Sequence, residues 1–337
     1  MEEIHGGDIY SRKIKYDYSV NINPLGCPKR VVDAMTDSLR SVEVYPEYGA
    51  KSLKEKLAKV LVVDANKLVI TAGASEAFIC LSRMKSFKRG YVISPSFYGY
   101  EYALKSAGIP IDRLSSHEDL KKIEDLRESL VFLANPNNPD GAFIQAEILI
   151  DLIKNIGVKG ATVVLDECFL PLTGKMTDSL IGKLEEDLEL YIVRSFTKTF
   201  AMPAIRLGYV VCNSEEKANS LQQLLPEWNV STLAINGGIK ALECIDEIEE
   251  ASRLIEDERK YIEEEFSKIG FTYFKSCANY ILFKGPMGLK DDLIELGFLI
   301  RDCSNYEGLG EGYYRIAIKD HESNMLLIDA IKKVVNE

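Results

Sequence analysis

The sequence predicts an α/β protein, with a large domain on a mainly parallel sheet followed by a smaller α+β domain. Three observations carry that prediction. Short apolar runs recur along the first two thirds of the chain with helical stretches between them, the alternation that produces βαβ units. Several of these runs end in polar or turn-forming residues, as strands do where an open α/β sheet gathers a ligand site at their carboxyl ends. From about Asn229 the pattern changes to long charged helices broken by two apolar runs.

Residues 1–30 contain no obvious folded element. Ile4 to Ser19 mixes glycine, charge and tyrosine before Asn21-Ile22-Asn23-Pro24-Leu25-Gly26 turns the chain, so the segment reads either as an N-terminal arm or as a frayed tail. A large domain over 31–225 then holds the runs Leu68 to Thr71, Tyr91 to Ile93, Leu130 to Leu133, Ala161 to Leu165, Tyr191 to Val193 and Gly208 to Val211. Continuous apolar runs suit parallel strands covered on both faces. They lead into Gly73-Ala74-Ser75, Ser94-Pro95, Asn135-Pro136, Asp166-Glu167 and Ser195. A join near Leu225-Pro226 opens the smaller domain, 226–337. There Ile245 to Phe266 is a Glu- and Lys-rich helix, Tyr280 to Phe283 and Tyr314 to Ile318 are strands, and a final helix follows. The chain shows no internal repeat and no low-complexity segment.

Composition narrows the function classes. With 337 residues, 46% hydrophobic and 28% charged, the chain can bury a large core. Its formal charge of −11 disfavours nucleic acid and anionic membrane surfaces, and no basic cluster offsets it. Seven scattered cysteines without a CxxC pair argue against a disulfide framework or a zinc site and suit a reducing cytoplasm. No apolar run reaches the ~18 residues of a membrane span, and nothing in the first residues directs export.

The chemistry centres on Ser195-Phe196-Thr197-Lys198-Thr199-Phe200, with Arg206 eight residues beyond the lysine. Lys198 follows an apolar strand, where a lysine can act as a Schiff-base nucleophile; Ser195, Thr197 and Arg206 together can hold a phosphate. That combination points to pyridoxal phosphate, against the alternative of a surface lysine on a Ser/Thr-rich loop. Asp166, 32 positions earlier, can keep a pyridine nitrogen protonated; a helix N-cap is the rival reading. Gly73, Ala74 and Ser75 open a helix whose first N–H groups suit an anion, although ordinary capping looks the same. Asn138, fixed between two X-Pro steps, can donate to a phenolic oxygen or sit in a plain surface turn. Tyr100 can stack on a planar ring or pack in the core. Arg301 and Arg315, on apolar segments of the smaller domain, are candidates for a substrate carboxylate, with Asp302 a local rival for Arg301.

In this order, Asn138, Asp166, Lys198 and Arg206 resemble the fold-type I pyridoxal-phosphate enzymes, in the branch of histidinol-phosphate aminotransferase and threonine-phosphate decarboxylase. The likeness spans nearly the whole chain. It implies a large domain with a mainly parallel seven-stranded sheet and a smaller α+β C-terminal domain. It also implies that Lys198 holds the cofactor aldehyde, Asp166 pairs with the pyridine nitrogen and Asn138 meets the phenolic oxygen. Gly73, Ala74, Ser75, Ser195, Thr197 and Arg206 would surround the phosphate and Tyr100 would lie over the ring. Tyr45, in Val44-Tyr45-Pro46, matches the tyrosine that reaches the neighbouring subunit's cofactor, so the resemblance implies a homodimer with shared sites.

Two segments tilt the choice towards the decarboxylase. One is His5-Gly6-Gly7-Asp8 with Asn21 to Gly26; the other is Ile300 to Leu309. In that family His5 and Asn23 lie near the substrate phosphate, and the counterparts of Arg301 and Arg315 bind its carboxylate. The chain departs from the aminotransferases at Phe169, where they usually carry a tyrosine. Asp140 replaces the usual threonine of the Asn-Pro-Thr-Gly turn and adds a charge of unknown effect; Thr197 replaces a serine and keeps the hydroxyl. The expected reaction is decarboxylation of an O-phosphorylated amino acid, L-threonine O-3-phosphate above all, to 1-aminopropan-2-ol phosphate for cobalamin. Histidinol-phosphate or related aminotransferase activity is the alternative, and a non-catalytic cofactor-binding protein a third.

Overall fold

A computed structural model of the chain describes residues 5–185 and 188–336. In chain order its strands are β1 (Tyr16–Asp17), β2 (Leu68–Thr71), β3 (Arg89–Ile93), β4 (Ile111–Leu114), β5 (Ser129–Ala134), β6 (Ala161–Asp166) and β7 (Leu190–Ser195). They continue with β8 (Gly208–Cys212), β9 (Thr272–Tyr273), β10 (Tyr280–Lys284), β11 (Phe298–Leu299), β12 (Arg301–Asp302) and β13 (Tyr313–Ala317). Seven of them form one sheet in the order β2-β8-β7-β6-β5-β3-β4, as the resemblance implied. Only β8 runs against its neighbours in that sheet.

Both faces of the sheet are covered, which is why its strands read as unbroken apolar runs. Alternate residues of one strand enter opposite cores: Leu130 and Phe132 pack on one face, Val131 and Leu133 on the other. The strand missing from the sequence reading is β4. It forms one edge of the sheet, and its Ile111-Asp112-Arg113-Leu114 is half-buried with Arg113 exposed, so it lacks the apolar run that marks an interior strand.

The smaller sheet, β12-β13-β10-β9, packs on the helices Asp246–Ile269 and His321–Asn336 over Ile255, Phe266, Ile281, Phe283, Ile316 and Leu327. Beyond the join near Leu225, residues Val230, Ala234, Ile235 and Ala241 still belong to the large-sheet core, and the helix Thr232–Ala241 packs along Lys29–Ser38. The chain before that helix is anchored from Tyr16 to Asn23. β1 pairs with β11, buried Tyr18 donates through its hydroxyl to Asn324 Oδ1 (3.2 Å), and Asn23 N–H donates to Lys198 C=O (3.0 Å). This segment therefore bridges the small-domain core and the lysine loop.

Candidate active site

The topology gathers the chemistry at one edge. The parallel strands β3, β5, β6 and β7 end where Phe97, Asn138, Asp166 and Lys198 follow. Because β8 is antiparallel, Arg206 just before it reaches the same edge as Ser75 just after β2. There a cavity of about 300 Å³ is lined by Lys198, Arg206, Arg301, Arg315 and His5, and Asp166 is the one carboxylate among its described lining residues. A cavity with four permanent or potential cations from lysine and arginine against one carboxylate is arranged for anions.

Lys198 sits on the short helix Phe196–Thr199 with Nζ 5.8 Å from the centre of the Phe169 ring. Burial, and then the positive charge of Arg315, bring its pKa down to about 8. Because the depressed value favours the free amine, acylation of Lys198 by an amine-specific reagent is expected to rise with pH around 8, not around the ordinary lysine value. Arg315→Leu removes a neighbouring cation and should move that midpoint upwards, measured by mass spectrometry of the labelled peptide.

Asp166 is buried at the end of β6; its Oδ1 accepts from Cys168 N–H (2.8 Å) and its Oδ2 from the Tyr100 hydroxyl (2.7 Å). Burial raises its pKa. A cationic group placed in the cavity would oppose that shift. Asn138 Oδ1 accepts from Arg315 Nη1, which turns the amide NH₂ away from that arginine. Arg315 is buried; its Nη2 donates to Ser19 C=O (3.0 Å), its guanidinium lies over Tyr280 at 5.4 Å, and its Nε–H has no partner among the described residues. Arg301, also buried, is its register partner across β12 and β13.

The anion cradle is built from backbone as much as from side chains. Helix Ala74–Arg83 has Gly73 at its N-cap and no side-chain cap, leaving first-turn N–H groups for a ligand. Gly73 has φ 84°, and a Cβ there would stand 2.9 Å from Arg206 Nη2, so only glycine admits the guanidinium. Arg206 itself has φ 57°, a left-handed conformation rare for arginine, and its one hydrogen bond among the described residues is Nη1 to Pro203 C=O (3.1 Å). Ala74, Ser75, Ser195 and Thr197 line the cavity beside it.

One assigned role changes, and two other residues gain defined contacts. Asn23 does not line the cavity: its Nδ2 donates to Thr199 C=O (2.8 Å) and its Oδ1 accepts from Leu25 N–H (2.9 Å), so it supports the lysine loop. Asn21, two residues earlier and also buried, lines the cavity, with Oδ1 unpartnered among the described residues. Tyr100 does line the cavity; its ring stacks on Phe132 (5.1 Å, 11°) and its hydroxyl donates to Asp166 Oδ2 (2.7 Å), so it also orients the aspartate, and half-buried Phe97 lines the cavity beside it. The charge of Asp140 has a local use: Oδ1 accepts from Asn137 Nδ2 (2.9 Å) and from Ala142 N–H (3.0 Å), closing the turn that carries Asn138. Neither Asn21 nor Phe97 carried a sequence signal separating it from its neighbours.

His5 lies 6.0 Å from Phe97, ring centre to ring centre, and burial with Arg301, Lys198 and Arg315 nearby lowers its pKa. Tyr45 is 77% exposed, packed on Trp228 at 4.7 Å, and lines no part of this chain's own cavity. Sequence reading also passed over Arg194, whose side chain forms a buried ion pair with Glu167, Nη2 to Oε2, at 2.7 Å.

Comparison with known proteins agrees with this geometry. Residues 13–331 match the family model for aminotransferase class I and II. A histidinol-phosphate aminotransferase of Thermoanaerobacter sp. is 32% identical over 99% of this chain and 98% of its own length. The crystal structure of the histidinol-phosphate aminotransferase from Clostridium acetobutylicum superposes with a TM-score of 0.87 at 34% identity, over 95% of this chain and 99% of that one. That of L-threonine-O-3-phosphate decarboxylase from Porphyromonas gingivalis gives 0.86 at 25% identity, over 96% and 100%. The chain therefore belongs to the aminotransferase class I and II family and is an enzyme of the branch that these aminotransferases and decarboxylases share.

Proposed function

We propose that this enzyme binds pyridoxal 5′-phosphate and decarboxylates an O-phosphorylated amino acid, L-threonine O-3-phosphate, to (R)-1-aminopropan-2-ol O-phosphate. The observation that carries the reading is the surplus of cations. With Arg206 assigned to the cofactor phosphate, the cations Arg301 and Arg315 remain at the cavity with the imidazole of His5 beside them, enough for a substrate with both a carboxylate and a phosphate. Histidinol phosphate has only one such group. Aminotransferase relatives of similar identity keep its transamination as the second reading.

The residues present fit the cofactor. The uncapped helix start and Arg206 suit a phosphate, Asp166 a pyridine nitrogen, Asn138 Nδ2 a phenolic oxygen, and Lys198 an aldehyde. When bound, the cofactor supplies an electron sink for the bond broken at the substrate α-carbon. Phe169 cannot donate, so Asn138 alone holds the phenolic oxygen. Arg301 and Arg315 hold the carboxylate, His5 and Asn21 reach towards the phosphate, and Lys198 moves a proton at the α-carbon.

Incubation with threonine phosphate is expected to release CO₂. Turnover of histidinol phosphate dependent on 2-oxoglutarate, with no CO₂ from threonine phosphate, overturns the decarboxylase reading. Serine phosphate should be a poorer substrate by the ~1–3 kcal/mol that one methyl group confers.

A homodimer is part of the same reading. Val42, Val44, Tyr45, Tyr48 and Trp228 are exposed large side chains, and both tyrosine rings pack against Trp228, an apolar surface that a second copy would cover. Sedimentation equilibrium should give twice the chain mass, and Tyr45→Ala should weaken cofactor retention on dialysis. All seven cysteines are free, in keeping with a cytoplasmic location.

A further inference from the structure

The segment after Arg301, which the proposed function leaves unused, is a turn wound about that arginine. Tyr306 N–H donates to Cys303 C=O (3.0 Å), Leu309 N–H to Tyr306 C=O (3.0 Å) and Cys303 N–H to Tyr313 C=O (2.8 Å), tying the turn to β13. Asp302 Oδ1 accepts from Ser304 N–H at 2.8 Å. Inside the turn Arg301 Nη1 donates to the Asp302 carbonyl, and Nη2 donates to Asn305 Oδ1 at 2.9 Å. The guanidinium carbon lies 5.5 Å from the centre of the Tyr306 ring. The Tyr306 hydroxyl in turn reaches Asn138 Oδ1 at 3.5 Å, the atom that also accepts from Arg315.

Its own segment thus holds Arg301 by two hydrogen bonds and an aromatic ring. A planar cation fixed in this way presents its donors in one direction. Arg315, its register partner, is held instead by Asn138 and Ser19, from distant parts of the chain.

We propose that Asn305 and Tyr306 are positioning residues that fix the Arg301 plane and, through it, the substrate carboxylate, so that loss of CO₂ outruns transfer of the amino group. This rests on the decarboxylase reading. In the favoured outcome the bond from the α-carbon to the carboxylate breaks, CO₂ leaves and the α-carbon takes up one proton. In the other the α-carbon would lose its proton, the bound cofactor would accept the amino nitrogen with that electron pair and a proton, and water would supply the oxygen with which the substrate departs as a 2-oxo acid. A carboxylate free to swing admits both.

Two measurements test this, the ratio of CO₂ to 2-oxo acid formed by the holoenzyme from O-phospho-L-threonine, and calorimetric affinity of the cofactor-free protein for the same compound. Tyr306→Leu and Asn305→Ala should shift the ratio towards the 2-oxo acid by about ten-fold and weaken binding by about five-fold, whereas Tyr306→Phe, which keeps the ring face and loses only the hydroxyl, should fall between wild type and Tyr306→Leu in both. The proposal is overturned if Tyr306→Leu stays within about two-fold of wild type in both readouts, or if Phe and Leu at 306 are equally damaging. If wild type releases no CO₂ from O-phospho-L-threonine, the decarboxylase reading falls by itself, and an unchanged affinity in Tyr306→Leu then removes the clamp as well.

Discussion

Lys198→Ala is expected to lose about four orders of magnitude or more in turnover, and the protein incubated with pyridoxal phosphate should lack the visible absorbance band of the wild type. The size of the effect follows from the environment of the amine. Arg206, Arg301 and Arg315 can still bind anions in the variant, so substrate affinity should survive while turnover disappears. No other amine lines the cavity among the described residues, and the depressed pKa, about 8, leaves a substantial free-amine fraction near neutrality that the arginines beside it do not offer. Lys198→Arg should be as inactive, because guanidinium keeps its proton and cannot serve as nucleophile or base. A variant that retains both the band and turnover would end the assignment of Lys198.

The largest expected loss of stability comes from one residue beneath the site. Arg194→Leu should cost about 3–5 kcal/mol, because it leaves the Glu167 carboxylate buried without its cation. Glu167 is 1% and Arg194 3% exposed, and Glu167 Oε2 accepts from both Nε (3.0 Å) and Nη2 (2.7 Å). Glu167 also accepts from Ser179 Oγ (2.8 Å) and Leu180 N–H (2.9 Å), so the pair pins the loop after β6 to β7. Since Asp166 immediately precedes Glu167, the loss should also loosen the aspartate. Thermal unfolding read by circular dichroism should show a midpoint lower by about 10 °C. The double variant Glu167→Leu/Arg194→Leu should recover part of it, as removing both charges leaves none unpaired. If the single variant melts with the wild type, the pair is not the anchor described.

The sequence alone determined the interior of the large sheet and the edge at which its chemistry gathers. Strands buried on both faces are apolar along most of their length, and the residues near their ends, Gly73, Asn138, Asp166 and Ser195, lie close to those runs in the chain. The half-buried β4 escaped because an edge strand carries charge. Only the tertiary structure decided which of two near neighbours faces the cavity. Asn21 and Asn23 differ by one period of an extended chain, yet the first lines the site and the second holds the lysine loop. Arg315 against Asn138, Arg194 against Glu167, and Arg206 against Gly73 are settled across 177, 27 and 133 positions of chain, distances over which local propensity says nothing and only packing and unpaired charge choose the partner.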